Sequence, residues 1–324
     1  MAHPLLPVNS DGFVLSSQVR SVGRLSTLEE QRRCDELLRL RRGVYVDRER
    51  YEGAGPLRRY RDRAIAVALQ RRSPVFAGFT AAVLHGLPSV GRLPGEIFLL
   101  AGGPSGRRRN GVVEIARTGA ERLVEIDDWA AVDVVDAVID VAKRMPLLTA
   151  LVMADAALHA PRFGEKPPRC TSDDLRAAYQ ARMPFPASSA VRAVIERAVP
   201  DADTPIETLS RLRFEELGVP APLRQFAVPL PRLGRVVHLD FAWPELGVWG
   251  EADGAEKYGS GPEAARVVRA EKLREDEIRA ETGWRCARWS WRDAWDRAPL
   301  RDILSRAGVR RNHSIAPVRP PSAR

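Results

Sequence analysis

Apolar and polar positions alternate most regularly between Val236 and Asp253. Leu239, Phe241 and Trp243 alternate with His238, Asp240 and Ala242, the period-2 pattern of a half-buried strand. A turn is predicted at Pro244-Glu245-Leu246-Gly247. The chain then returns through Val248 to Asp253, with Glu251 and Asp253 on one face and Gly254 ending the strand. In the obvious hairpin register, Asp240 and Glu251 point into one pocket. Upstream, Thr204-Pro205-Ile206-Glu207 predicts a helix start with proline in the first turn, followed by a turn at Val219 to Pro222 and a strand from Arg224 to Pro229. Downstream, a helix is predicted over Pro262 to Glu281, with Val267, Ala270, Leu273 and Ile278 on one broad face. Gly283 ends it, and the strand Trp284 to Trp291, aromatic on both sides, is expected at the centre of a small sheet.

The first half reads differently. Ser26-Thr27-Leu28-Glu29 resembles a capping box, and Leu28, Cys34, Leu37, Leu38 and Arg41 lie near one stripe of a helix continued to Arg42. Gly43 stops it before a short strand, Val44-Tyr45-Val46. This outline suits a winged helix-turn-helix and a charged amphipathic helix with a solvated face equally well. Further helices are predicted over Leu57 to Arg72 and from Ala77 to Gly86, with His85 as a packing or capping residue at the end of the latter. Strands are predicted at Glu96 to Leu100 and Gly111 to Ile115, joined by the basic loop Arg107-Arg108-Arg109-Asn110. Asp133, Asp136 and Asp140 repeat along a helix through Lys143, which reads as a solvated face. Residues 161–190, rich in proline, read as a linker around the helix Ser172 to Arg182, and the basic tail from Val309 as disordered.

Composition narrows this picture. A chain of 324 residues with 44% hydrophobic content has enough material for two or three cored domains. Its three cysteines, Cys34, Cys170 and Cys286, lack a CxxC pair, which argues against a disulfide framework or zinc finger and fits a reducing compartment. No apolar run approaches the roughly 20 residues a bilayer span needs, and no signal-peptide pattern opens the chain. These features predict a cytoplasmic protein with no membrane partner. The formal charge is +9. Ser17 to Arg72 holds 15 arginines against 8 acidic residues, a concentrated basic segment of the kind that attracts phosphate. Buried carboxylates, by contrast, are costly unless paired or bound to a cation, and a hard divalent metal takes oxygen ligands.

Two resemblances follow. RLRRGVYV, FTAAVLHGLP and VVDAVIDVAKRMPLLTALVMADAAL resemble the AbiEi-type antitoxin and transcriptional-regulator family over about residues 13–160. That likeness implies a winged helix at 13–57 and an α/β domain at 58–160. It also implies DNA contacts by Arg32, Arg33, Arg39, Arg41 and Arg42, and a toxin or other defence-system protein as a possible partner. Glu207, LDFAWP, GEADG and AEKLREDEIRAETGWRCARWSW are similar, in order, to the PD-(D/E)XK superfamily, in particular to its branch related to very-short-patch-repair endonucleases.

The second resemblance implies a restriction-endonuclease-like α/β domain at 199–308, after a linker region at 161–198 and before a tail at 309–324. The expected class is therefore multidomain α/β. Asp240 and Glu251 match the metal-binding acids, for Mg²⁺ or Mn²⁺, and Glu207 the helical acid. Asp253 stands where the superfamily usually has lysine, Lys257 or Lys272 being candidates to replace it. Arg274 is a candidate helix brace or phosphate contact. The implied activity is DNA phosphodiester hydrolysis, with a repressor carrying an inactive nuclease-like domain as the alternative.

Overall fold

A computed structural model describes residues 6–161, 167–253 and 262–311. The chain is mixed α/β and forms two compact units, Met1–Leu158 with Pro168–Ala198, and His159–Pro167 with Val199–Arg324. None of the described helices is long and apolar enough to cross a membrane. All three cysteines are free.

The first unit opens with β1 (Phe13–Leu15), α1 (Ser16–Ser21), α2 (Leu25–Arg33), β2 (Leu37–Arg41) and β3 (Val44–Asp47). The strands form an antiparallel sheet ordered β1-β3-β2. The helix expected to run to Arg42 therefore ends at Arg33. Asp35 takes a left-handed φ of 64°, which no α-helix accommodates. Beyond it, Leu37-Leu38-Arg39-Leu40-Arg41 follows the strand period instead of the helical one. Nor does the Ser26-to-Glu29 capping box form: the helix starts at Leu25 and Arg24 supplies no side-chain cap. Gly43 closes the β2–β3 turn at φ 76° rather than stopping a helix.

Both faces of this sheet are covered. Val14, Leu37 and Tyr45 pack with Val19 of α1 and Leu28 of α2. On the opposite face, Phe13, Val44 and Val46 pack with Ile65 and Ala66 of α4 (Pro56–Ala68), which follows the short α3 (Arg48–Glu52). The boundary expected near residue 57 thus falls inside one shared core.

The same unit continues through β4 (Val75–Phe76), α5 (Gly78–Leu84), β5 (Ile97–Leu100), β6 (Arg107–Arg109), β7 (Val112–Ile115), β8 (Leu123–Ile126) and β9 (Trp129–Val132). These strands make a mixed six-stranded sheet ordered β6-β7-β5-β4-β9-β8. Arg107, Arg108 and Arg109, expected in a loop, form its edge strand β6, hydrogen-bonded to β7. His85 caps the end of α5, its Nε2 lying 2.9 Å from the Val132 carbonyl.

Helices α6 (Val134–Arg144), α7 (Leu147–Leu158), α8 (Ser172–Arg182) and α9 (Ser188–Arg197) complete the unit. The expected linker region is instead largely α8 and α9, packed on α6 and α7. Its predicted helix, Ser172 to Arg182, has the expected bounds, set by a Thr171/Asp174 capping box. The aspartates of α6 do not form a solvated face. Asp133 is the N-cap, bonding the Asp136 backbone N–H at 2.9 Å, and buried Asp136 pairs with Arg182.

The second unit contains α10 (Pro205–Leu217), β10 (Leu223–Leu230), β11 (Arg235–Trp243), β12 (Val248–Asp253), α11 (Pro262–Thr282), β13 (Arg285–Ser290), α12 (Trp291–Asp296) and α13 (Ala298–Ala307). The sheet order is β10-β11-β12-β13, antiparallel until the final, parallel β12·β13 pairing. The last strand is accordingly an edge strand, not a central one. Its Trp289 nevertheless is buried, its ring lying against Gly250, where a Cβ would fall 2.5 Å from the ring. Phe214 of α10 meets Phe241, Trp243 and Trp289 edge-on, with ring centroids 5.0, 5.4 and 5.7 Å away. Such pairs add to the stabilisation from burying four large rings.

Ile278 of α11 joins Val237, Leu239 and Trp249 in a separate cluster. Leu273, expected on the same apolar face, is exposed. Val309 belongs to the core rather than to a tail; the tail from residue 312 onward lies outside the described residues.

Candidate functional site

The sheet of the second unit brings the predicted acids together. The β11–β12 ladder runs through Trp243–Val248, Ala242–Trp249 and Phe241–Gly250. Asp240 and Glu251 flank the point where this pairing ends. There the Ala252 backbone N–H donates to an Asp240 carboxylate oxygen at 3.0 Å, in place of a ladder carbonyl. Glu207 lies in the first turn of α10 and is buried. Its two oxygens accept from Thr204 Oγ1 at 2.6 Å, and from the Asp203 backbone N–H and Gln225 Nε2, both at 3.1 Å.

Helix α11 reaches the same place for a geometric reason. One turn separates Arg274 from Ile278, a rise of about 6 Å, and two strand residues separate Glu251 from Trp249, about 6.6 Å. With Ile278 packed in the Trp249 cluster, Arg274 therefore meets Glu251, its Nη1 2.6 Å from Glu251 Oε1. The parallel register sets Arg288 of β13 directly beside Glu251. Its Nη2 donates to Glu251 Oε2 at 2.7 Å. Glu271 shares both guanidiniums, at 2.8 Å from Arg274 and 3.3 Å from Arg288. Arg274 also reaches the His238 carbonyl at 3.4 Å.

The electrostatics follow from this packing. Burial, and then the Glu207 and Glu251 carboxylates, push the Asp240 carboxyl up to about 7, against the Ala252 N–H. Burial also raises Glu207 and Glu251 above the ordinary carboxylate range, Arg274 and Arg288 opposing the rise at Glu251. Burial disfavours charge on Arg274, but Glu251 and Glu271 outweigh it and hold the guanidinium above its ordinary value.

A divalent cation can be tested against this arrangement. Among the described residues no three His, Cys, Asp or Glu side chains form a ready metal cage. Mg²⁺ or Mn²⁺ makes a smaller demand, commonly one or two carboxylates with water and phosphate oxygens completing the shell; Asp240, bonded to a backbone N–H, meets it, and Glu251 would meet it on exchanging one of its two guanidiniums for the cation. The raised proton affinity of Asp240 comes first from burial and then from the neighbouring carboxylates, a setting in which a bound cation would favour the ionised form. Glu207 contributes negative charge at close range while both its oxygens are already bonded.

The remaining candidates are dispersed. Asp253 ends β12 beside Ser290 and is half-buried; Lys257 lies outside the described residues; Lys272 is exposed on α11. In the other unit, Arg32 and Arg33 close α2, where Arg32 stands 5.6 Å over the Tyr45 ring. Arg39 and Arg41 lie on β2, and Arg42 is in the following turn. The arginine–glutamate network around Glu251 escaped sequence reading except for Arg274. Glu271, Arg274 and Glu275, the last 3.6 Å from Arg288, were its visible part at helical spacing, whereas Arg288 enters only through the parallel register. Compared with known proteins, the chain matches no family model and no curated sequence.

Proposed function

We propose that the protein binds DNA and that its second unit hydrolyses phosphodiester bonds with a divalent cation held by Asp240 and Glu251. The observation carrying this reading is the convergence of Asp240 and Glu251 where two strands stop pairing, with the Asp240 carboxyl raised by burial and by its acidic neighbours. The order α10-β10-β11-β12-α11-β13, with antiparallel strands followed by one parallel edge strand, supports a restriction-endonuclease-like core. A divalent cation held by Asp240 and Glu251 would supply an acidified water and charge neutralisation at the scissile phosphate. Arg274 and Arg288, shared between Glu251 and Glu271, are assigned to bracing the acid site. Glu207 keeps the acid cluster electron-rich, and Asp253 is assigned as an additional oxygen donor.

DNA engagement is assigned to the first unit. The order β1-α1-α2-β2-β3, with sheet order β1-β3-β2, supports a winged-helix reading in which α2 is the recognition helix and the β2–β3 turn the wing. Arg32, Arg33, Arg39, Arg41 and Arg42 supply its positive charge.

A second reading is favoured by the two guanidiniums on Glu251. They satisfy its charge without a metal, and together with Asp253 at the usual lysine position they suit a DNA-binding repressor that does not cleave, with a toxin or other defence protein as possible partner.

Supercoiled plasmid distinguishes the readings. The wild type is expected to nick it with Mg²⁺ or Mn²⁺, to stop in chelator, and to lose at least about 100-fold in Asp240→Ala or Glu251→Ala of unchanged fold. Intact plasmid alongside salt-sensitive binding would transfer the conclusion to the repressor.

A further inference from the structure

We propose that a cleft in the first unit, lined by Arg41, Arg71, Arg107 and Arg109, is a binding site for a phosphate ester. The cavity has a volume of about 390 Å³, and Gln70 and Glu114 complete its polar wall. This volume lies within the range of small-ligand sites, roughly 300–1,000 Å³, but such sites are mostly apolar. A wall of guanidinium and amide groups selects a hydrophilic anion instead.

Three elements build the site. Arg107 and Arg109 stand at alternate positions of edge strand β6, and Arg108 between them pairs with Glu96. Arg71 follows the end of α4. Arg41 comes from the end of β2, where a register shift between Arg39 and Arg41 breaks the ladder; such a bulge re-aims the side chain that follows it. Its Nη1 donates to the Asn110 carbonyl at 3.1 Å, which anchors the guanidinium without cancelling its charge.

Charge balance separates this cleft from the other arginine clusters. Glu114 accepts from Arg71 Nη1 at 2.6 Å, and from Arg107 Nε at 2.6 Å and Nη2 at 3.1 Å. It is the only carboxylate among the residues lining the cleft, against four guanidiniums. Around Glu251, by contrast, Arg274 and Arg288 share Glu251 and Glu271. Burial, then the Arg71 and Arg63 charges, pull Arg41 below its ordinary value, as expected of a cation crowded by cations. A phosphate relieves that crowding and accepts forked hydrogen bonds from more than one arginine. The ligand is either a nucleic-acid backbone phosphodiester or a free nucleotide phosphate, which share this chemistry.

The test uses the full chain in chelator, so that it does not depend on cleavage by the second unit. Binding of inorganic phosphate and AMP is measured by calorimetry, and binding of a fluorescent DNA duplex by anisotropy over a KCl series. The variants are the double Arg71→Gln/Arg109→Gln, which spares Arg41 as an assigned DNA contact, and its Arg→Lys counterpart, with thermal melts to establish that both fold. The glutamine variant is expected to weaken the resident ligand about tenfold or more, and the lysine variant to recover most of that loss. A backbone site predicts weaker duplex binding, a salt slope smaller by about 2, and no AMP binding by the wild type. A nucleotide site predicts AMP binding that the glutamine variant loses while the duplex is unaffected. Loss of both ligands also supports the shared site. Unchanged binding of duplex and AMP by the folded glutamine variant, or phosphate binding indifferent to it, overturns the proposal.

Discussion

The acid site of the second unit and the arginine cleft of the first solve opposite electrostatic problems in opposite ways. Around Glu251 the fold supplies the countercharge, bringing Arg274 from a helix and Arg288 from a parallel neighbouring strand onto its two oxygens. Around Arg41 it supplies one carboxylate, Glu114, which two other arginines already share. Compensated charge holds a structure together, whereas uncompensated charge in a cavity invites a ligand. Asp240 falls between these cases, sharing the cluster with Glu251 and taking a backbone N–H as its direct partner.

The largest expected effect concerns Asp240. Since its folded carboxyl is raised to about 7, the stability favouring its protonated form is complete below the ordinary aspartate range and is lost as pH rises through about 7. Asp240→Asn removes that penalty. In chelator, its stability relative to wild type should increase by about 2–4 kcal/mol between pH 5 and pH 8, measured by urea unfolding. An equal difference at both pH values would show that the carboxyl is not strained. Mg²⁺ should also bind wild type more tightly at pH 8 than at pH 6, because binding displaces a proton.

Next comes the compensated pair. Glu251→Gln leaves Arg274 and Arg288 without their central partner, and the expected cost is about 2–3 kcal/mol at pH 7, below the fully buried case because both arginines retain some exposure. A change under about 0.5 kcal/mol would mean that Glu271 takes over both guanidiniums.

The smallest effect belongs to the cleft. Glu114→Gln should cost less than about 1 kcal/mol, as solvent-screened ion pairs do, while tightening phosphate binding several-fold by removing the competing carboxylate. Weaker phosphate binding instead would make Glu114 an organiser of the arginines rather than their competitor.

Much of the second unit was legible because its signals are local. Period-2 alternation marked β11 and β12, Pro205 marked the start of α10, and Gly283 the end of α11, each within two residues of the observed bounds. Long-range pairing was not legible. An edge strand with tryptophans on its length resembled a central one, because Trp289 is covered by Phe214 and Phe241 from elsewhere in the chain. In the first unit, Leu37 to Arg41 carried enough helix formers to satisfy a helical stripe. The strand won because both its faces find apolar partners, Leu37 with Leu28 on one side and Leu38 and Leu40 with Ile65 on the other, and tertiary burial outweighs propensity.

The sequence by itself determined the mixed α/β character, the acid-bearing hairpin and the excess of arginine near the amino end, since composition, alternation and turn residues act over a few neighbours. Only the tertiary structure decided which charges meet. The end of the β11–β12 ladder, the parallel alignment of β13 and the bulge before Arg41 are set by packing between segments distant in sequence, and each moves a charge by several ångströms. At that range Coulomb energy depends steeply on separation and burial, so the same arginines and carboxylates amount to a compensated network in one unit and an open cationic cleft in the other.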